Sequence, residues 1–298
     1  MSDPRVSVIM PAYNCEHLVS RAIESILQQN GVTFELIVVD DGSTDRTARM
    51  VEQYTKIDDR VKMKLMGSNQ GQSAARNEGI KLARGQYIAY QDADDYSLPG
   101  RLRRQCAILD KCSLIGLVGT NALLKDKSGK TREYIPLPDD YVPLPCYRLL
   151  SHPRKSLLTK NQVFCGSVMH RKSLMKMSGM WGSDIDWGLW IRMQEHSEVV
   201  ILPMPYYVYC KTQDGADSRR GYEDNHRISM ETMRDCYART GDRGALRTMR
   251  RYQMMIIFGK CSFGTAKYRA VSWAIYRLCG FLAAITTGNS PAPATGRK

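Results

Sequence analysis

Several signals are missing from this sequence, and each absence excludes something. No Cys-x-x-Cys pair occurs among its nine cysteines, so no zinc or thioredoxin-type site is encoded. The count is odd and the spread wide, from Cys15 to Cys279, which predicts reduced thiols in a cytosolic compartment rather than a disulfide scaffold. His170, His196 and His226 show no metal-ligand spacing and are expected to be structural or surface residues. No Gly-x-Gly-x-x-Gly follows the first strand-like run; Pro11-Ala-Tyr-Asn-Cys-Glu16 stands there instead, which argues against a nicotinamide or flavin enzyme. No uninterrupted apolar run reaches the roughly 18 residues that a spanning helix needs. The N-terminal residues lack an apolar segment of signal-peptide length, so no secretion signal is expected. There is no internal repeat.

What is present describes a globular protein. With 298 residues, 43% of them hydrophobic and 24% charged, the chain can bury a substantial core as one large α/β domain with an appendage. Val6–Met10 is a β-type run, expected to stop at Pro11. Cys15–Gln29 has helical spacing, with Leu18, Ala22 and Ile26 on one face. Phe34–Val39 is nearly all apolar, as suits a parallel strand buried on both faces. Ser43 or Thr44 can cap the next helix, which carries Met50, Val51 and Tyr54. Val61, Met63 and Leu65 alternate, Gly71–Ala83 is helical, and Tyr87–Tyr90 is a fourth strand.

The order β-α-β-α-β-α-β implies a parallel, doubly wound sheet. Ligands bind such sheets outside the carboxyl ends of the strands. That rule brings three distant polar loops to one rim: Pro11–Asn14, Asp40–Ser43 and Asp92–Asp95. Beyond them, Pro99–Leu109 predicts a helix, Leu114–Leu124 a strand, the proline-rich Tyr134–Tyr147 a loop, Gln162–His170 a strand and Asp186–Glu195 a helix. Residues 199–210 predict strands broken by prolines.

Asp92, Asp94 and Asp95 lie within four residues, directly after a strand. Carboxylates crowded this way repel unless a cation is present. A hard ion such as Mg²⁺ or Mn²⁺ takes one or two carboxylates and leaves sites for phosphate oxygens. An acidic turn capping the helix that starts near Pro99 is the plainer reading. At Asp40-Asp41-Gly42-Ser43, an acid can accept hydrogen bonds from a nucleobase or ribose, or can form an Asx-turn with Gly42 at positive φ. Both can hold, one for each aspartate.

Four stretches together carry a resemblance: Val6-Ser-Val-Ile-Met-Pro-Ala-Tyr-Asn14, Leu36-Ile-Val-Val-Asp-Asp-Gly-Ser-Thr-Asp45, Asn69-Gln-Gly-Gln-Ser-Ala-Ala-Arg-Asn77 and Gly85-Gln-Tyr-Ile-Ala-Tyr-Gln-Asp-Ala-Asp-Asp95. In this order and spacing they resemble glycosyltransferase family 2, the inverting nucleotide-sugar transferases of GT-A fold. The match is strong over the first 110 or so residues and looser to about residue 215. The resemblance implies a single Rossmann-like, mostly parallel sheet flanked by helices over residues 1–215. Residues 1–110 would form the nucleotide-sugar half and 111–215 the acceptor half, followed by a basic helical extension at 216–298. It implies that Pro11, Ala12 and Tyr13 line the nucleobase pocket, that Asp40 reads the base with Arg76 nearby, that Asp92 contacts the ribose, and that Asp94 holds a Mn²⁺ or Mg²⁺ bridging the diphosphate. Gly71 and Ser73 would let the chain pass close to the nucleotide.

The family commonly carries Glu-Asp-aromatic-Asp-Leu-Trp in its second half, where this chain reads Gly182-Ser-Asp184-Ile-Asp186-Trp187-Gly-Leu-Trp190-Ile-Arg192. That alignment makes Asp186 the general base, with Ile185 and Gly188 replacing family acids and Asp184 able to compensate. On its own, Asp186 also reads as a helix N-cap. Trp181, Trp187 and Trp190 can stack on sugars or belong to the core. The implied activity is inverting transfer of a sugar from a nucleoside-diphosphate donor, a UDP-sugar by family habit, to a glycan or lipid-linked acceptor in cell-surface polysaccharide synthesis. A non-catalytic sugar-binding or scaffold protein of the same fold is the alternative.

The net charge of +13 is unevenly placed. From Arg239 to Lys298 eleven Lys/Arg face a single acid, Asp242. A basic, amphipathic, Trp-bearing segment can lie in a membrane interface or pack as a helical cap; nucleic acid is not the expected partner. The interfacial reading puts the protein in the cytoplasm, peripheral at the inner face of the membrane. It predicts that the full chain floats with anionic liposomes while a 1–238 truncation does not; equal flotation of the two rejects it.

Overall fold

The structure, a computed structural model, describes residues 3–126, 128–134, 142–144, 147–151, 161, 163–182, 185–211 and 222–250. Asp184, much of the proline-rich segment and residues 251–298, with the amphipathic tail, lie outside the described residues. The chain divides into two compact units, Met1–Arg219 and Arg220–Lys298. In the second, a helix spans Tyr222–Thr240 and residues 243–250 are helical. Among the described residues no helix is long and apolar enough to cross a membrane.

The first unit opens with the alternation read from the sequence: β1 (Val6–Ala12), α1 (Val19–Leu27), β2 (Phe34–Asp40), α2 (Thr47–Ile57), β3 (Val61–Leu65), α3 (Gln72–Leu82) and β4 (Tyr87–Tyr90). There follow β5 (Tyr96–Ser97), α4 (Arg101–Lys111), β6 (Ile115–Lys125), β7 (Thr131–Tyr134), β8 (Val142–Leu144), β9 (Tyr147–Ser151), a 3-10 turn at Cys165–Ser167, β10 (Met169–Arg171), α5 (Leu174–Ser178), α6 (Ile185–Gln194) and β11 (Glu198–Cys210). One sheet joins them in the order β3-β2-β1-β4-β10-β6-β11-β9-β8, with β5 on β11 and β7 on β6. The strands β3, β2, β1 and β4 are parallel. The short β10 is antiparallel to both β4 and β6, which restores the original direction in β6 and its parallel neighbour β11. The carboxyl ends of β1, β2, β4, β6 and β11 therefore share one rim.

The core explains the run of apolar strands. Every residue of β2 and β4 is buried, as a central strand covered by helices on both faces requires. Val19, Ala22, Ile23 and Ile26 of α1 pack on one cluster with Val8, Met10, Leu36 and Val38.

Several local expectations are corrected. Pro11 does not end β1 but pairs with Val39. Pairing to β4 stops at Ile9, so the N–H that proline lacks is not needed on that side. Helix α2 is not capped by Ser43 or Thr44, which face Asn14 instead; Asp45 accepts the Thr47 N–H at 2.9 Å. The strand expected over Gln162–His170 is reduced to β10 after the 3-10 turn. Residues 199–210 form a single strand, its register shifting around Pro205, a bulge that absorbs the missing donor. Val142–Leu144 pairs with β9 inside the segment expected to be loop. Among the described cysteines Cys15, Cys106, Cys165, Cys210 and Cys236 are free thiols. Cys112 forms a disulfide, against the all-thiol expectation, because pairing depends on proximity that spacing does not reveal.

At the far end of the strands, Glu35 ties β1, β2 and β3 together. Its carboxylate accepts from Ser7 Oγ at 2.7 Å, Arg84 N at 2.8 Å and Lys62 Nζ at 3.1 Å. Burial opposes its charge, but these donors outweigh it and lower its pKa. A carboxyl depressed in the folded state stabilises above its unfolded value and loses that contribution as pH falls through the folded one. Glu35→Gln is expected to cost about 2 kcal/mol at neutral pH, the worth of hydrogen bonds to a charged group. In urea titrations its deficit should shrink as the pH falls below about 4, where the Glu35 carboxyl protonates first in the unfolded and then in the folded chain.

Candidate active site

The rim is built from loops that bond to one another. Asn14, at φ +47°, donates its N–H to Ser43 Oγ and accepts the Thr44 N–H. Cys15 N donates to Thr47 Oγ1, and Glu16 N to Asp45. The β1 and β2 loops are thus cross-linked before any ligand arrives. Ala12 pairs in register with Asp40, while Pro11 and Tyr13 stay half-buried.

Asp40 and Asp41 divide their roles differently from expectation. Asp40 Oδ1 accepts the Ser43 N–H at 2.9 Å, closing an Asx-turn with Gly42 at φ +72°. Its Oδ2 is buried without a partner. Both Asp41 oxygens are engaged, accepting Gln70 N and Gly71 N at 2.8 Å each. This carboxylate sits at the start of α3, where the helix dipole favours an anion. The turn and the free acceptor therefore both belong to Asp40. An unpartnered buried carboxylate oxygen is costly, which marks it as a position for an incoming donor. Gly71 has φ +88° and open space where a Cβ would stand, so glycine is required there by conformation, not by crowding.

Arg76, on α3, is 2% exposed and donates to Asp92 Oδ1 at 2.8 Å. Its guanidinium stacks on Trp181 at 4.4 Å, and its Nε and Nη1 have no partner. Burial works against the charge, but Cys165, Asp92 and Asp186 outweigh it and raise the pKa. Those influences place Asp186 and Asp92 in the neighbourhood of one cation, so the structure gathers the two halves of the expected site.

The acidic loop rests on a polar floor. Gln91 Nε2 donates to the Asp92 carbonyl, and Ser97 Oγ donates to Gln91 Oε1. Asp95 is 1% exposed and points inward; it accepts the Tyr207 hydroxyl at 2.8 Å and Cys210 N at 2.7 Å. Burial, then the charges of Asp94 and Asp92, pushes its pKa well above the carboxylate range. Arg101 lies fully buried below, donating to the Tyr90 and Gly166 carbonyls, its pKa lowered to about 10 by burial. Of the three acids, Asp95 is structural. Asp92 and Asp94 remain partly exposed at the rim, with Arg21 fixing the Asp94 carbonyl at 2.8 Å.

No trio of His, Cys, Asp or Glu among the described residues encloses an ion by itself. Asp94 with Asp92 beside it fits an ion of Mg²⁺ or Mn²⁺ type, because such ions accept one or two carboxylates and complete their shell with substrate phosphates and water.

Asp186 stands in the first turn of α6. One oxygen accepts the N–H of Trp187 at 2.8 Å, and the other accepts the Asn161 amide at 3.0 Å. The helix begins at Ile185, so Asp186 lies inside its first turn rather than at the N-cap, where the helix dipole favours a carboxylate. Trp181, Trp187 and Trp190 are all buried and belong to the core. Trp181 donates to the Tyr90 hydroxyl at 3.0 Å, which lies 2.9 Å from His170 Nε2. Since His170 Nδ1 faces the Arg171 carbonyl, it donates there and Nε2 accepts. Sequence reasoning passed over two residues of this region. Asn77 bonds both the N–H and the carbonyl of Trp181 at 3.0 Å, and Tyr207 underlies the acidic loop. Asn77 closed a motif already noted, which was a usable signal; Tyr207, more than a hundred residues away, had none.

Burial lowers the His170 pKa to about 4, against an unfolded value of about 6.5. The unfolded chain takes up that proton first, so stability is full above about pH 6.5 and falls towards pH 4, by on the order of 3 kcal/mol. His170→Gln, which keeps an acceptor for Tyr90 but cannot titrate, should flatten that part of the stability–pH profile in denaturant titrations.

With this geometry in place, the relatives can be compared. The model of "Glycosyl transferase family 2" matches residues 7–177. EpsE of Bacillus subtilis (strain 168), named as a glycosyltransferase, is 38% identical over 204 residues, or 65% of this chain and 68% of EpsE. The Escherichia coli UDP-Glc:alpha-D-GlcNAc-diphosphoundecaprenol beta-1,3-glucosyltransferase WfgD is 35% identical over 128 residues, 43% of this chain and 50% of WfgD. The S. aureus TarS 1-349 structure in complex with UDP-GlcNAc superposes with a TM-score of 0.60 at 22% identity, covering 78% of this chain and 66% of that one. That likeness is one of fold: a mostly parallel sheet flanked by helices, the GT-A arrangement. The chain belongs to glycosyl transferase family 2 and is by class a glycosyltransferase.

Proposed function

We propose that the chain transfers a sugar from a nucleoside-diphosphate donor, a UDP-sugar, to a hydroxyl of a glycan or lipid-linked acceptor, with inversion, in cell-surface polysaccharide synthesis. The observation that carries this reading is the charge arrangement at the rim. A buried arginine with two unpartnered nitrogens holds Asp92 and feels Asp186, while Asp40, at the end of β2, keeps one buried oxygen unpartnered. The choice of a UDP-sugar is supported by TarS, solved with UDP-GlcNAc, and by WfgD, named for UDP-Glc and a diphosphoundecaprenol-linked acceptor.

In this reading residues 1–110 bind the donor. Pro11, Ala12 and Tyr13 line the base, and the free Asp40 oxygen accepts a hydrogen bond from it, with Arg76 adjacent. Asp92 contacts the ribose. Asp94 would hold a Mg²⁺ or Mn²⁺, which stabilises the charge developing on the departing diphosphate. Residues 111–215 present the acceptor. Asp186, oriented by Asn161, takes the proton from the attacking hydroxyl as the bond to the anomeric carbon forms and the bond to the diphosphate breaks. Attack opposite the leaving group inverts configuration. The basic extension of residues 216–298 would hold the enzyme at a membrane carrying a lipid-linked acceptor.

Asp94→Ala and Asp186→Asn should each abolish sugar transfer, measured with Mn²⁺ against a panel of UDP-, GDP- and dTDP-sugars. Asp94→Ala should act through lost donor binding. Asp186→Asn should lower turnover by about 10²–10⁴ with donor binding retained, the usual worth of a general base. Near-wild-type turnover in Asp186→Asn removes the base assignment, and wild-type binding of nucleotide by Asp94→Ala removes the metal assignment.

A further inference from the structure

The Asp92–Asp95 loop has a support that comes from the other end of the unit. Tyr207, on β11, is fully buried, and its hydroxyl lies between the two ends of the loop. It donates to Asp95 Oδ2 at 2.8 Å and faces the Asp92 N–H at 3.4 Å. Within the loop, Asp95 N closes on the Asp92 carbonyl at 3.2 Å. One hydroxyl thus addresses both the first residue of the turn and the side chain of its last.

The surroundings leave the ring little freedom. A Cβ on Gly166 would collide with the Tyr207 hydroxyl and would lie 2.9 Å from Asp92 Oδ2. Gly166 is therefore glycine because ring and carboxylate both occupy the space a side chain would take. Arg101 lies 5.8 Å from the same ring and holds the Gly166 carbonyl from beneath. In β11 the register shifts on both sides of Pro205, the second shift ending at Tyr207. The bulge sets which way this residue faces relative to its neighbours. Tyr207 then pairs with Ser97 of β5, immediately beyond the acidic loop.

We propose that Tyr207 is a positioning residue for donor and metal binding: its hydroxyl, backed by Gly166 and Arg101, holds the Asp92–Asp95 turn so that Asp92 and Asp94 face the rim. The inference rests on the reading of those two acids as the donor site. Their carboxylates repel each other, so without an anchor below the turn they would splay apart. The anchor costs the loop its disorder before the donor arrives, which is how preorganisation raises affinity.

Tyr207→Phe removes the hydroxyl and keeps the ring. The first measurement needs no ligand: amide hydrogen exchange of residues 92–95 should speed up in Tyr207→Phe while that of β1 and β2 stays unchanged. The second is calorimetric titration with UDP in Mn²⁺, with kinetics in parallel. The Kd for UDP–Mn²⁺ and the donor KM should rise about tenfold, as for one lost hydrogen bond, while kcat at saturating metal and donor stays within about threefold. Gly166→Ala should reproduce the pattern more severely. Unchanged exchange and unchanged Kd in Tyr207→Phe overturn the proposal, as does a fall in kcat with KM and Kd untouched, which would place the tyrosine in the chemical step instead. Asp94→Ala separates this from the donor-site reading. Wild-type UDP–Mn²⁺ affinity in Asp94→Ala sinks that reading, and the proposal with it; loss of affinity in Asp94→Ala beside a wild-type constant in Tyr207→Phe sinks the proposal alone.

Discussion

The site depends on one buried cation. Arg76 sits in the interior, paired with the Asp92 carboxylate and stacked on the indole of Trp181. A guanidinium in such a place is stable only if negative charge surrounds it, and the chain supplies that charge from segments far apart in sequence. Asp92 comes from the end of β4 and Asp186 from α6. Once Arg76 is buried, these segments must converge.

The convergence also explains the polar floor. Burying Arg76 and Arg101 brings obligations to main-chain carbonyls and carboxylates that an apolar core cannot meet. The Tyr90 and Gly166 carbonyls meet Arg101, while Gln91, Ser97, Asp95 and Tyr207 bond within and beneath the acidic loop, which takes its shape from them. Its two outward acids and one inward acid serve different ends, although the sequence spells all three alike.

The parallel half of the fold was legible because its signals are local. Apolar runs at Phe34–Val39 and Tyr87–Tyr90, separated by helical spacing, leave few topologies, and strand-end loops followed from the topology. Boundaries that depend on distant partners were not legible. Pro11 stays in β1 because β4 ends early, and Pro203 and Pro205 sit in one strand because β6 tolerates a bulge. At the site, Asp40, Arg76, Asp92 and Asp186 could be named from motifs. Asp95 could not be told from Asp94, since only burial against Tyr207 distinguishes them. Nor could one foresee that Asp40 would hold both the turn and the free oxygen while Asp41 secured α3.

The bond between Asn77 and Trp181 has a wider consequence. Both hydrogen bonds go to the main chain of residue 181, the groups every amino acid other than proline carries. This tie between α3 and the segment after β10 is thus indifferent to the side chain at residue 181 and to those around it. The chain there can change in sequence without losing its attachment to α3, so long as proline is kept out of that one position.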